Sequence, residues 1–408
     1  PYFKKIETWS EGENDYRGAN GLLPVNQSKN KNPLFKAFVN SAGEAGYKIN
    51  NDMNGKVQEG FGMYDVTIHK GERASVSKYY LNPAKKRKNL NVFTEAFVEK
   101  IIFDEKKAIG VEVKIKDKVK KIYANKEVIL SGGAINSPQL LMLSGIGPSQ
   151  HLKDKGINVI HDLDGVGKNL QDHLETYVQQ ECKTKDTLYS YVNKLNMLKI
   201  GIQWFFNRSG PCSNSFLEAG GFCKSSPERE YPNIQFHFFP AFVIDHGLVD
   251  PDRHGYQLHA SPNHPKSRGH ITLNSSNPYD YPKIQFNYLE HEDDLNQTIE
   301  CIHVARKILR QKSLKPFAGK EIGPGEHAQS RDLIEEYIRS KAETAYHPSC
   351  TLKMGIDKMS VVDEKLKIHG LQNIRVVDAS VMPEITSGNL NAPTLMIGER
   401  AADFINYS

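Results

Sequence analysis

Cysteine is scarce and scattered in this sequence. The five present, Cys182, Cys212, Cys223, Cys301 and Cys350, are odd in number and far apart, and no Cys-x-x-Cys pair occurs. Neither a disulfide framework nor a zinc site is supported, no metal is expected, and a reducing compartment is the natural reading. No apolar run approaches the roughly 18 residues that span a bilayer. The expected location is therefore cytoplasmic or peripheral to an inner membrane. Also missing is Gly-x-Gly-x-x-Gly, the turn that seats a dinucleotide's pyrophosphate; Gly165-Val166-Gly167 lacks the third glycine. A formal charge of +5 over 408 residues is slight. The basic runs Lys85-Lys86-Arg87-Lys88 and 114–121 read as solvated turn and hairpin faces. Without a basic stripe and interleaved aromatics, a nucleic-acid partner is not expected. There is no internal repeat. The opening Pro1-Tyr2-Phe3-Lys4-Lys5 is neither a signal peptide nor a start methionine, and the chain reads as one entered in the middle.

What is present describes an ordinary globular protein of two or three domains, with 38% hydrophobic and 25% charged residues. Asn32-Pro33 opens a helix with Leu34, Phe38 and Ala42 on one face. Strands are expected over 90–94, 98–103, 110–115, 121–124 and 127–130, the third alternating apolar and charged residues as a half-exposed hairpin does. The last of them ends in Ser131-Gly132-Gly133 and passes into a helix over 137–144. Such a strand–glycine turn–helix lets a ligand approach the backbone closely. A helical pattern with Leu195, Leu198 and Trp204 covers 188–206, strands are expected over 234–239 and 270–273, and helices over 292–311 and 331–340. Near the end, the strand 374–377 closes on Asp378-Ala379-Ser380, and a loop through Gly388-Asn389-Leu390-Asn391 leads into a helix from about Pro393. The positive end of that helix would stabilise a nearby anion by ~0.3–2 kcal/mol.

Three stretches carry a resemblance. They are Ala345-Tyr346-His347-Pro348 with Thr351 and Lys353-Met354-Gly355; Asp378-Ala379-Ser380-Val381-Met382-Pro383 through Met396-Ile397-Gly398-Glu399-Arg400; and Gly133-Ala134-Ile135-Asn136-Ser137-Pro138 through Gly147. They resemble the motifs of the glucose–methanol–choline (GMC) flavin oxidoreductases, and the likeness runs the whole length of the chain. It implies an α/β plus α+β fold: a doubly wound, Rossmann-like FAD-binding domain, truncated ahead of its nucleotide fingerprint, and a substrate domain of antiparallel sheet and helices. The expected division is 1–20 as the end of a preceding segment, 21–66 and 176–344 as substrate domain, and 67–175 and 345–408 as FAD domain.

The resemblance also implies roles for residues. His347 would be the base that takes the hydroxyl proton of an alcohol, and Asn391 its partner. Glu175 would hold the trimethylammonium group of choline, as in the choline-oxidising members, with His173, His237 and Tyr346 lining the substrate site. A quaternary ammonium donates no hydrogen bond, so a carboxylate and aromatic faces are what can hold it; Phe238, Phe239, Tyr346 and Trp204 are candidate faces, Trp204 being favoured as core. Val98, Gly133, Ser137, Asp378, Ala379, Asn389, Pro393 and Thr394 would contact FAD. The implied reaction is oxidation of choline to betaine aldehyde, with onward oxidation to betaine open, and a respiratory quinone as final acceptor. Two alternatives stand: a GMC dehydrogenase of another primary alcohol, and an inactive module without flavin. One departure is plain, because Cys350 stands where the family's His-Pro-x-Gly-Thr has glycine. If that position needs positive φ, the loop behind His347 is strained. Oligomeric state is open.

Overall fold

The computed structural model describes residues 1–244, 247–249 and 251–407. Helix α1 (Pro33–Glu44) starts where Asn32 accepts the Leu34 N–H at 2.9 Å, with Pro33 in the first turn where no donor is needed. Strand β1 (Gly60–Met63) follows, then an antiparallel set β2 (Ala96–Asp104), β3 (Lys107–Ile115) and β4 (Lys118–Tyr123). Strand β5 (Val128–Leu130) turns through glycine into α2 (Gly133–Leu143). The middle of the chain gives β6 (Leu174–Cys182), α3 (Lys194–Asn207), β7 (Ala219–Cys223), β8 (Ile234–Phe239) and β9 (Gly255–Pro262). Helix α4 (Glu292–Leu309), β10 (Ala318–Gly323), α5 (Arg331–Lys341), β11 (Glu343–Thr344), β12 (Ile374–Val376) and α6 (Asn391–Asn406) complete the set that positions the site.

One antiparallel sheet runs in the order β10-β6-β9-β8-β7-β1, with β11 added along β6. Its register sets Tyr177 opposite His259, His259 opposite His237, and His237 opposite Gly220. Because side chains alternate along a strand, the two faces differ in kind. One carries Val178, Leu258, Ala260, Phe236 and Phe238, all buried in a single core with residues of α1 and α4. Each such large apolar side chain contributes about 1.5–3 kcal/mol when removed from water. The other face carries Glu175, Gln179, Gln257, His259, Gln235 and His237. A one-residue slip would exchange the faces and bury these polar groups in the core, so the apolar side fixes the register.

The second core gathers Val128, Leu130, Leu141, Met142, Ile374, Val376, Ile397 and Ala401 around β5 and β12, which pair in parallel, Val128 beside Ile374 and Leu130 beside Val376. A parallel pair with helices beside an antiparallel sheet covered by helices is the mixed architecture expected. Ile271 and Leu273 also lie in this second core, although they fall within 176–344. Residues Glu7–Trp9 pair in parallel with Leu23–Gln27, so the first twenty residues pack with the stretch that follows them.

Two expectations are corrected. Residues 90–94 form no strand, because β2 begins only at Ala96, after Glu95 takes a φ of 52°. Helix α3 exists, but no residue in it is fully buried: Leu195 and Leu198 are 72% and 61% exposed, while Ile200 and Trp204 are half-buried. Trp204 is not core either. Its indole donates to the Gly71 carbonyl at 2.7 Å, and the Arg208 guanidinium lies over its ring.

Candidate active site

Where β6 begins, the segment Gln171–His173 runs beside the turn that holds His347. The His347 N–H donates to Asp172 Oδ1 at 2.8 Å, while Tyr288 and Thr344 hydroxyls donate to Asp172 Oδ2. Desolvation raises the Asp172 carboxyl pKa, against the lowering effect of these hydrogen bonds. The loop of His347 is thus tied to the start of β6 by a buried carboxylate. The ring is held as firmly: His347 Nδ1 lies 3.0 Å from His173 Nδ1, and His173 Nε2 lies 3.0 Å from the Asn263 carbonyl.

These contacts settle where the protons are. A carbonyl only accepts, so His173 Nε2 carries the hydrogen and its Nδ1 is a lone pair. His347 Nδ1 must then donate to it, which leaves His347 Nε2 as the basic nitrogen. Burial pushes His173 down to about 3, helped by the neighbouring His347, so it stays neutral through the working range. Burial also lowers the His347 pKa from its usual value, against the attraction of Asp172 and Glu175.

The carboxamide that reaches His347 is that of Asn389, not Asn391. Asn389 Nδ2 donates to His347 Nε2 at 3.2 Å, and Gln235 Nε2 donates to Asn389 Oδ1 at 3.0 Å, which fixes the amide's orientation. Asn391 sits two residues further on, exposed, as the first residue of α6. The helix starts two residues earlier than expected from Pro393, and this carries Asn391 into its first turn while Asn389 stays in the loop facing the imidazole. His237 joins through Gln235, whose Nε2 is 3.2 Å from His237 Nε2. Burial pushes His237 down to about 4, with Glu175 opposing.

On the polar face of the sheet, Glu175 Oε1 accepts from His259 Nδ1 at 2.8 Å. Desolvation opposes its ionisation, but the hydrogen bond from His259 helps hold the Glu175 pKa below the usual carboxylate value. His259 and Gln257 escaped the reading from sequence; what could have found them is that 257 and 259 alternate with Leu258 and Ala260 on one strand. The aromatic faces are also different from those expected. Tyr64 lies 5.4 Å, centroid to centroid, from His237, and Tyr177 lies 5.4 Å from His259. Phe238 belongs to the opposite face, stacked on Phe38 in the core. Phe239 shares the side of His237 and is half-buried, and Tyr346 is 69% exposed at a φ of 60°.

The residues expected at a flavin divide into two groups. Asp378 is fully engaged with the protein, accepting from Gly133 N–H at 2.9 Å, Ser137 Oγ at 2.6 Å, Ser380 N–H at 2.8 Å and the Ser380 hydroxyl. With Ser137 it ties the end of β12 to the β5–α2 turn, and so acts on any ligand there through the backbone. Gly133 itself has a φ of 81° with nothing within 4 Å of where a Cβ would stand, so the turn is open and needs glycine. The start of α6 has no side-chain cap, which leaves the Asn391 and Ala392 N–H groups for an anionic ligand. Pro393 and Thr394 are half-buried in this first turn, as is Val98 on β2, and Ala379 is half-buried beyond β12. An open glycine turn, and an uncapped helix start two residues beyond the Asn389 that faces the basic nitrogen, suit the ring end of a flavin. No Gly-x-Gly-x-x-Gly for the pyrophosphate occurs in these 408 residues.

Cys350 takes a φ of 73° and is fully buried, its thiol donating to Ser349 Oγ at 3.2 Å. A side chain in this region costs about 1–2 kcal/mol of backbone strain, comparable with what a buried methylene-sized group returns, about 0.8 kcal/mol. Cys350→Gly is therefore expected to lie within about 1 kcal/mol of the parent, and Cys350→Ala, which keeps the strain and loses the thiol contact, to be the less stable of the two. Denaturant unfolding of both variants checks the order; alanine above glycine would mean that the strain is absent.

Models of the GMC oxidoreductase family match residues 1–175 and 265–398. The mitochondrial choline dehydrogenase of Homo sapiens is 49% identical over 407 residues, covering 99% of this chain and 68% of that protein. The oxygen-dependent choline dehydrogenase of Staphylococcus xylosus is 49% identical over 410 residues, covering 99% and 73%. Among solved structures, the pyridoxine 4-oxidase of Mesorbium loti superposes with a TM-score of 0.89 at 26% identity, covering 100% of this chain and 76% of that one. A formate oxidase gives 0.90 at 25% identity, covering 100% and 77%.

Proposed function

Because the chain belongs to the GMC oxidoreductase family, we propose that it catalyses the FAD-dependent oxidation of choline to betaine aldehyde. The observation that carries the reading is the pairing of a tautomer-fixed base with a carboxylate on the neighbouring strand face: His347 Nε2 at one end and Glu175 at the other. FAD, when bound, supplies the acceptor for the hydride that leaves the alcohol's α-carbon. The Asn391 and Ala392 amides, the Gly133 turn, Val98, Ala379, Pro393 and Thr394 are the groups of this chain that would hold it.

His347 Nε2 takes the hydroxyl proton, which passes from the alcohol oxygen to the imidazole as the C–H bond breaks. Asn389 Nδ2 faces the same nitrogen and can donate to the alkoxide oxygen in its place as negative charge gathers there. Glu175 holds the trimethylammonium end, with Tyr64 and Tyr177 beside the paired histidines as aromatic walls. His173 and Asp172 do not touch the substrate; they fix the ring and the loop of His347.

The choline dehydrogenases at 45–49% identity support the substrate. The geometry favours it over an uncharged alcohol, since a half-buried carboxylate is a liability beside an apolar group. For the electrons' destination we propose a respiratory quinone. Steady-state oxidation by the FAD-loaded enzyme, with a soluble quinone as acceptor, is expected to favour choline over dimethylbutanol, its uncharged carbon isostere. Equal specificity for the two alcohols would remove choline as the substrate, and equal rates with oxygen alone would remove the quinone.

A further inference from the structure

The charge that Glu175 offers depends on its neighbour. An imidazolium at His259 would neutralise the carboxylate, whereas a neutral imidazole leaves it a full anion. Four linked hydrogen bonds at the polar face of the sheet decide between them.

The Val243 N–H donates to Gln257 Oε1 at 3.0 Å, and Gln179 Nε2 donates to the same oxygen at 3.0 Å. A backbone N–H can only donate, so the Gln257 amide has one permitted orientation, with its oxygen toward Val243. Its nitrogen then faces outward along the strand and meets His259 Nε2 in a short hydrogen bond. An amide nitrogen also only donates, so His259 Nε2 must be a lone pair. The ring hydrogen is on Nδ1, where it is donated to Glu175 Oε1 at 2.8 Å. Protonating His259 would set N–H against N–H, and flipping Gln257 to relieve that would set its NH2 against the Val243 N–H. Gln257 is fully buried, so water does not stand in for either partner.

We propose that Gln257 is a specificity-determining positioning residue: by holding His259 neutral, it keeps Glu175 an uncompensated anion for a quaternary ammonium substrate. The proposal rests on the choline reading above. It gives the buried pair Gln257–His259, anchored on the Val243 N–H, a role that packing alone would not require, since an apolar pair would fill the same space at less desolvation cost. Other titratable groups around Glu175 and His259 are His237 on the adjoining strand, His347 across the site, Tyr177 on β6, and Glu343, which pairs directly with Glu175 from β11. They remain in every variant compared below.

The test uses the FAD-loaded enzyme and the ratio of kcat/KM for choline to kcat/KM for dimethylbutanol. In Gln257→Met nothing opposes a proton on His259 Nε2 as the pH falls. The ratio is then expected to match the parent's at about pH 8 and to fall about ten-fold at about pH 6, while the parent's ratio holds across that range. Adding His259→Gln, whose amide donates to Glu175 but cannot become charged, is expected to restore the ratio at the lower pH. Tetramethylammonium, titrated against the flavin absorbance, is expected to bind with the same pattern and reports without turnover. If Gln257→Met does not fold, Gln257→Asn takes its place, keeping an amide for Val243 while drawing back from His259. A ratio that stays level with pH in the variant, or a loss that persists in the double variant, overturns the proposal. A parent enzyme with no preference for choline would instead overturn the function on which it rests.

Discussion

His347→Gln lowers kcat/KM for choline by about 10²–10⁴-fold, the usual worth of a positioned general base, and removes the acid limb of its pH profile. The expectation comes from three linked facts. Asn263 fixes the tautomer of His173, His173 fixes that of His347, and the free Nε2 is the atom left facing Asn389. The sign of the pH effect follows from the burial that lowers the His347 pKa. A base works when unprotonated, so activity is held at and above pH 6.5 and is lost as the pH falls through a value below that. Glutamine keeps the polarity and size of the side chain but takes no proton, so a folded, flavin-loaded variant should show a low and flat profile on the acid side. Rate measurements from about pH 5 to 8, with flavin content measured in parallel, check it. A variant that retained the acid limb would place the base elsewhere, and His237 would be the next candidate. It lies two amides away, through Asn389 and Gln235, but burial pushes it down to about 4 and Gln235 Nε2 already donates to its Nε2.

The parts of this site legible in the sequence are those that short motifs carry. His347 in its Tyr-His-Pro turn, the Asp172–Glu175 run and the glycine turn after β5 are each set by neighbours within a few residues. The first two came out beside one another because the turn at 345–349 hydrogen-bonds back to 171–173, and Thr351 just beyond it donates to the Ala134 carbonyl at the glycine turn. What stayed hidden is what strand pairing decides. His259 and Gln257 meet Glu175 only because β9 lies between β6 and β8, an order that joins segments some eighty residues apart. No local pattern announces that, since loop closure and register are settled by the apolar face beneath. The choice between Asn389 and Asn391 was hidden for a smaller reason: the helix starts at Asn391 rather than Pro393, and a boundary shift of two residues is within the normal uncertainty of a helix end. Helix α3 shows the converse. Its spacing of Leu195, Leu198 and Ile202 is helical and the helix is there, but periodicity reports which residues share a face and not whether anything covers it.

Glu175→Gln is expected to separate a cationic substrate from a neutral one more sharply than any other single change. Two unit charges about 4 Å apart interact by ~1 kcal/mol in water and by ~4 kcal/mol at the effective dielectric of a partly buried site. Glu175 is half-buried, its side chain 18% exposed, so the effect falls between those limits, and kcat/KM for choline should drop by roughly 10- to 1000-fold. Glutamine still accepts from His259 Nδ1, so the loss reflects charge rather than a broken hydrogen bond. For dimethylbutanol the sign is reversed or null: with no cation to receive it, the carboxylate only opposes burial of the tert-butyl group, and removing its charge should leave kcat/KM unchanged or raise it. Both alcohols present the same hydroxyl to His347, and so the two substrates share every term except the one being tested. The drop should appear in KM before kcat, because the ammonium is held equally in ground and transition states and uniform binding acts on KM. Equal losses on both alcohols would mean that Glu175 supports the β6–β9 pairing through His259 and does not recognise the substrate's charge; a selective loss on choline assigns it the cation.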